Sequence, residues 1–268
     1  MGFVLATAGA AVGLGNIWRF SYLAAEYGGG IFLFTYLLLV FSAGFVLVLT
    51  ESALGRMTGS GVLCAYEKIS RKLSFAGYLT FITPLIIFSF YSVVGGWVMF
   101  YALQFIFGNG SLLADSGYFS AFTAEPVIPA VFTLIFIALT AWIVLRGVRR
   151  GIEKTTRLLM PVLLVMLVVL AAYCICMPGG LDGLWYFFYP DFSKFSAELV
   201  LAALGQMFFT LMIGSGVIMT YGSYLSKSEN LVKSAHSIDF FDTAVAILAG
   251  LLVIPAVFAL SGGSPETL

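Results

Sequence analysis

The sequence predicts an all-α polytopic membrane protein that crosses the bilayer about seven times. Three observations carry that prediction. Of 268 residues, 61% are hydrophobic and 10% charged, more apolar surface than a water-soluble domain of this size needs. The apolar residues fall into seven segments of about twenty residues or more, the length a helix needs to cross the hydrocarbon core. Glycines interrupt the first and sixth segments near their middles, where a spanning helix should be regular.

The first segment covers 2–26 and ends in Tyr27-Gly28-Gly29-Gly30, a turn by composition. The second, 31–57, is apolar apart from Glu51 deep in its second half. Loop 58–74 carries Lys68, Arg71 and Lys72, and the third segment, 75–107, is long enough to tilt. Loop 108–125 is polar and acidic, with Asp115 and Glu125, and leads to the fourth segment at 126–145. A basic stretch of Arg146, Arg149, Arg150, Lys154 and Arg157 opens the fifth, 155–177. Loop 178–196 holds Asp182, Asp191 and several aromatics, including Trp185. The sixth segment is 197–224, and loop 225–233 joins it to the seventh at 234–261.

Every lysine and arginine except Arg19 and Lys194 falls in or beside the loops after segments two, four and six. The positive-inside rule therefore places those loops and the N-terminus in the cytoplasm, as expected of a multi-pass protein of the plasma (inner) membrane. The net charge of zero points to no nucleic-acid partner. Cys64, Cys174 and Cys176 have no metal-ligand spacing, and the latter two read as packing residues in an apolar run. A lone His236 near a helix start packs or caps. No basic stretch follows Met1, so a cleaved signal peptide is not expected. With no nucleophile–base set, metal cluster or phosphate loop, the sequence does not read as an enzyme.

The stretch Gly9 to Arg19, GAAVGLGNIWR, organises the rest. Glycines at 9, 13 and 15 make either a close-packing seam between helices or a break in the helix. A break is tolerable in a bilayer only where the freed N–H and C=O groups face protein, ions or substrate. Asn16 and Arg19 just beyond favour a break that builds a binding site. The sixth segment repeats the feature at Thr210-Leu-Met-Ile-Gly214-Ser-Gly216. Segment one enters from the cytoplasm and segment six from outside, as an inverted repeat of five helices requires. The whole chain, 1–268, then reads as a single transmembrane domain, with the first repeat in 1–177 and the first two helices of the second in 197–261.

These residues carry a resemblance. Gly2–Leu38, GFVLATAGAAVGLGNIWRFSYLAAEYGGGIFLFTYLL, is similar to the first two helices of the neurotransmitter:sodium symporter family, the LeuT-type transporters, in particular the bacterial-type sodium-dependent amino acid transporters. So are Glu51–Arg56 (ESALGR), Phe90–Trp97 (FYSVVGGW), Gly151–Lys154 (GIEK) with Met160-Pro161, Gly205–Thr210 (GQMFFT) and Thr220–Tyr224 (TYGSY). The resemblance implies a LeuT-type inverted-repeat fold of about twelve helices, truncated here to about the first seven, with helices 1 and 6 broken at mid-membrane. It implies sodium-coupled symport of a neutral, hydrophobic amino acid by alternating access. With the second repeat incomplete, the chain alone is expected not to transport.

The family's site maps onto this sequence residue by residue. Substrate would meet Ala11, Leu14, Gly15, Ile87, Tyr91, Phe209, Thr210, Met212 and Ser215. Its carboxylate would bind the N–H groups of Leu14 and Gly15, where the helix restarts, and the Tyr91 hydroxyl. The side-chain pocket of Ala10, Ile87, Phe209, Met212 and Ser215 is small or apolar. Two Na⁺ sites are implied. The first uses the Ala11 carbonyl, Asn16, Thr210 and Asp242; the second uses the Gly9 and Val12 carbonyls and is incomplete without an eighth helix. Arg19, Gln206 and Tyr224 match gate residues, Phe209 an aromatic lid, and Glu51 a support for the unwound sixth helix. Asp242 stands where chloride-dependent relatives have asparagine, so chloride is not expected to be required. Two other readings stay open, a channel-like module and a membrane scaffold. Oligomeric state is not readable.

Overall fold

The computed structural model describes residues 12–115, 117–226 and 228–261. A π-helical turn at Gly15–Arg19 leads into α1 (Phe20–Glu26). Helices α2 (Gly30–Leu39) and α3 (Phe45–Thr58) form one span joined by a second π segment, Val40–Gly44. Then follow α4 (Val62–Ile69), α5 (Ser74–Ile106), α6 (Gly110–Leu113), α7 (Tyr118–Ala124), α8 (Val127–Leu145), α9 (Lys154–Ile175) and α10 (Gly180–Phe188). The last are α11 (Ala197–Thr210), α12 (Val217–Ser223) and α13 (Leu231–Ser261). Among the described residues, α2–α3 and the helices containing 71–106, 127–145, 150–175 and 231–261 are long and apolar enough to cross a membrane.

The sixth segment is two helices, as its glycines predict. α11 stops at Thr210, and α12 begins only at Val217. Between them Met212 has φ 53° and Gly216 φ 72°, left-handed values that end a helix. A side chain on Gly216 would also strike Val62 and Thr80. In the first segment regular helix starts beyond the bend at Gly13. Its first half, with Gly9, Ala10 and Ala11, lies outside the described residues.

Three loops contain helices that the sequence reading did not include. Turn residues and charge marked 58–74, 108–125 and 178–196 as loops, but each holds an apolar face with something to cover. Val62 and Ala65 of α4 pack on Met219, Phe122 of α7 stacks on Phe100 at 4.5 Å, and Phe187 of α10 is fully buried. The basic stretch after α8 is π-helical over Val148–Glu153. Cys174 is buried but Cys176 is exposed, so only the former packs.

The chain divides into two compact units. Residues 81–155 make one, in which Gly96 lets α5 approach the backbone of α8 at Thr133. The other joins residues up to Thr80 with those from Thr156. Its core runs through Phe20, Phe32, Tyr36, Phe187, Leu199, Met207, Ile238 and Ile254. Phe20 meets Tyr36 edge-on at 5.1 Å and Phe187 at 6.3 Å. Within this unit α3 and α12 touch backbone to backbone. A Cβ on Gly55 would strike the Met219 carbonyl, and one on Gly222 would sit 2.6 Å from the Ser52 carbonyl oxygen. In lipid such close approach is what drives helices together. Gly55→Ala should therefore lower stability by about 1–3 kcal/mol, read as a drop in the thermal unfolding midpoint of purified protein; an unchanged midpoint would contradict backbone contact.

Candidate functional site

Where α1 starts and α11 stops, side chains converge on Asp242 of α13, which is fully buried. Asn16, at the first turn, donates through Nδ2 to Asp242 Oδ1 at 2.7 Å and to the Asp242 carbonyl at 3.0 Å. Its own Oδ1 accepts from the Gly13 N–H at 3.0 Å, so one amide ties the bend to α13. From α2, the Tyr36 hydroxyl lies 3.4 Å from Asp242 Oδ2 and 3.2 Å from Thr210 Oγ1. Thr210, the last residue of α11, donates to the Gln206 carbonyl at 3.1 Å. The cluster is rich in acceptors. It holds a carboxylate and two hydroxyls, and the tyrosine has one proton for two oxygens. Asn16, Tyr36 and Thr210 are neutral, so they give Asp242 hydrogen-bond partners but no counter-charge.

A second layer links the helix that starts beyond Gly13 to α11. Gln206 Nε2 donates to the Gly15 carbonyl at 2.9 Å, and its Oε1 accepts from Arg19 Nη1 at 3.1 Å. The Arg19 guanidinium lies 4.9 Å from the Phe209 ring centre, and that ring packs directly on Gly15. On the other side of the break in the sixth segment, Glu51 Oε1 accepts from the Gly214 N–H at 2.7 Å. Ser215 turns its hydroxyl back to the Met212 carbonyl. A backbone that has left helical geometry is thus held by side chains of neighbouring helices, which is how a broken helix survives in hydrocarbon.

The structure brings together Asn16, Thr210 and Asp242, and links Gly15, Arg19, Gln206 and Phe209 beside them. Val12 and Leu14 begin the described chain at the same bend. Met212 and Ser215 lie in the break of the sixth segment, and Tyr224 caps α12 with its side chain exposed. Ile87 and Tyr91 are on α5, in the unit of residues 81–155. Tyr36 went unnoticed in the sequence, because one tyrosine in the run GIFLFTYLLL carries no mark of its register. His236, read as packing or capping, stacks on Phe45 at 4.0 Å between ring centres.

A model of the sodium:neurotransmitter symporter family matches residues 1–110 and 127–262. This chain belongs to that family. Within the family it is 37% identical over 264 residues to the sodium-dependent transporter YhdH of Bacillus subtilis (strain 168), covering 97% of the chain and 58% of that relative. It is 27% identical over 309 residues to the sodium- and chloride-dependent GABA transporter 2 of Homo sapiens, of which it spans 50%. Among solved structures it is similar to MhsT in complex with L-phenylalanine, at 42% identity and a TM-score of 0.90, over 99% of this chain and 61% of that one. The chain therefore spans between half and about three fifths of the length of the family members it matches.

Because Glu51 reaches Gly214 directly, Glu51→Leu should strand that N–H and cost about 1–3 kcal/mol, and Glu51→Gln, which keeps an acceptor, should cost less. Thermal unfolding of the two variants tests this. Equal losses would mean that the carboxylate does not hold the break.

Proposed function

We propose that the protein carrying this chain moves a neutral, hydrophobic amino acid into the cell together with Na⁺. The observation that carries the reading is the acceptor-rich cluster around Asp242, set between the bend at Gly13 and the break in the sixth segment, in a chain of this family. All its donor atoms toward an ion are oxygens, the ligands a hard cation prefers. Na⁺ is a co-substrate in this reading. One ion uses Asn16, Thr210, Asp242 and the Ala11 carbonyl, and another the Gly9 and Val12 carbonyls. The substrate carboxylate meets the N–H groups of Leu14 and Gly15 at the start of the resumed helix, where the helix dipole favours an anion. The apolar character of Phe209 and Met212, and the L-phenylalanine bound by MhsT, support a hydrophobic side chain. Movement follows the inverted-repeat scheme, with one repeat rocking against the other around the shared site. The charge pattern supports a plasma-membrane protein with its N-terminus in the cytoplasm.

Radiolabelled amino-acid uptake into proteoliposomes tests coupling. An imposed Na⁺ gradient should drive accumulation, and equal uptake with K⁺ in its place would refute the proposal. The charge on Asp242 gives a further expectation. Uptake by the unmodified protein should be unchanged when gluconate replaces chloride, whereas Asp242→Asn should lose transport or become chloride-sensitive. Strong chloride dependence of the unmodified protein would overturn the role given to Asp242.

A further inference from the structure

Three buried oxygens of α13 have no partner among the described residues: both carboxylate oxygens of Asp239 and the hydroxyl of Thr243. Asp239 is 0% and Thr243 3% exposed. Four residues apart, they lie one above the other on one helix face. An unpaired buried carboxylate is far too costly to persist without compensation. The threonine is as informative as the aspartate. Ser21, Thr35, Ser92 and Thr210 each donate to the carbonyl four residues back. For Thr243 that carbonyl belongs to Asp239, and the hydroxyl does not use it.

Two contacts fix what lies level with Asp239. Tyr36 of α2 meets Asp242, and Phe45 of α3 stacks on His236. The order along one chain is reversed along the other, so the helices are antiparallel and Asp239 falls between the two rungs. Between Tyr36 and Phe45 lies the π segment Val40–Gly44, which packs against α13. π turns of this kind are frequent at functional sites, and here the Phe45 N–H has slipped back to the Val40 carbonyl.

The occupant must be small, because the oxygens are enclosed. A cation would satisfy all three oxygens at once, because each can act as an acceptor. It must be a hard cation, because only oxygens are offered. One carboxylate balances one charge. We propose that Asp239, level with the π segment 40–44, and Thr243, one turn further along α13, hold a Na⁺ ion at a position separate from the Asn16–Asp242 cluster. Neither residue belongs to the two sodium positions proposed above. Any effect of this ion on binding at the Asp242 cluster, three residues along the same helix, is matched by an equal effect in return.

Equilibrium binding of radioactive sodium to the purified protein tests this, with thermal unfolding confirming that each variant is folded. Asp239→Asn should lose one bound Na⁺ per molecule. Thr243→Val should raise the half-saturating concentration roughly tenfold, the equivalent of about 1.4 kcal/mol, and Thr243→Ser should restore it. Isotherms of Asp239→Asn and Thr243→Val that superimpose on the unmodified protein would overturn the proposal, whether a proton or a water then occupies the position. If Asp239→Asn does not fold, the Thr243 valine and serine variants decide by the same criterion. Asp242→Asn is measured beside them. An unchanged isotherm for it, with an ion lost in Asp239→Asn, would sink the role given to Asp242 and leave the Asp239 position standing.

Discussion

The bond from the Asn16 amide to the Asp242 carboxylate is the contact on which the described core depends. A bilayer offers no water to a charge or to a broken helix, so both must be satisfied from within. One amide does part of each task. Its oxygen takes the Gly13 N–H at the bend, and its nitrogen reaches across to α13. Tyr36 brings α2 to the same carboxylate, and Thr210 brings the end of α11. Four parts of the chain are thereby set in register around one carboxyl group.

The second layer follows the same logic with different chemistry. Gln206 bridges the Gly15 carbonyl and the Arg19 guanidinium, and so fixes α11 against the resumed first helix. Glu51 holds Gly214. Each break is supported by a neighbouring helix, which keeps its geometry defined while its backbone stays free of regular helix bonding. Direct contact of α3 with α12 through Gly55 and Gly222 keeps Glu51 within reach of the break.

Much of this was legible in the sequence, and the exceptions have physical causes. Glycine and polar spacing marked the interruption of the sixth segment and the bend at Gly13, and the family resemblance pointed to Glu51 and Asp242. Asp239, three residues earlier in the same apolar helix, belongs to no motif of that resemblance, and its burial becomes visible only once α13 is packed. Tyr36 was not legible at all, since its role depends on the register of α2 against α13. The helices inside loops 58–74, 108–125 and 178–196 depend on burial of Val62, Phe122 and Phe187, and tertiary burial overrides turn and charge signals.

The central claim is that Asn16 and Asp242 act as one unit in holding a cation. Sodium-dependent thermal stabilisation around the double-mutant cycle Asn16→Ala and Asp242→Ala tests it most directly, because a ligand that binds the native state raises its unfolding midpoint. The account predicts that either single variant loses most of the stabilisation gained on adding Na⁺, and that the double variant loses no more. Losses that simply add, as for independent sites, would contradict it.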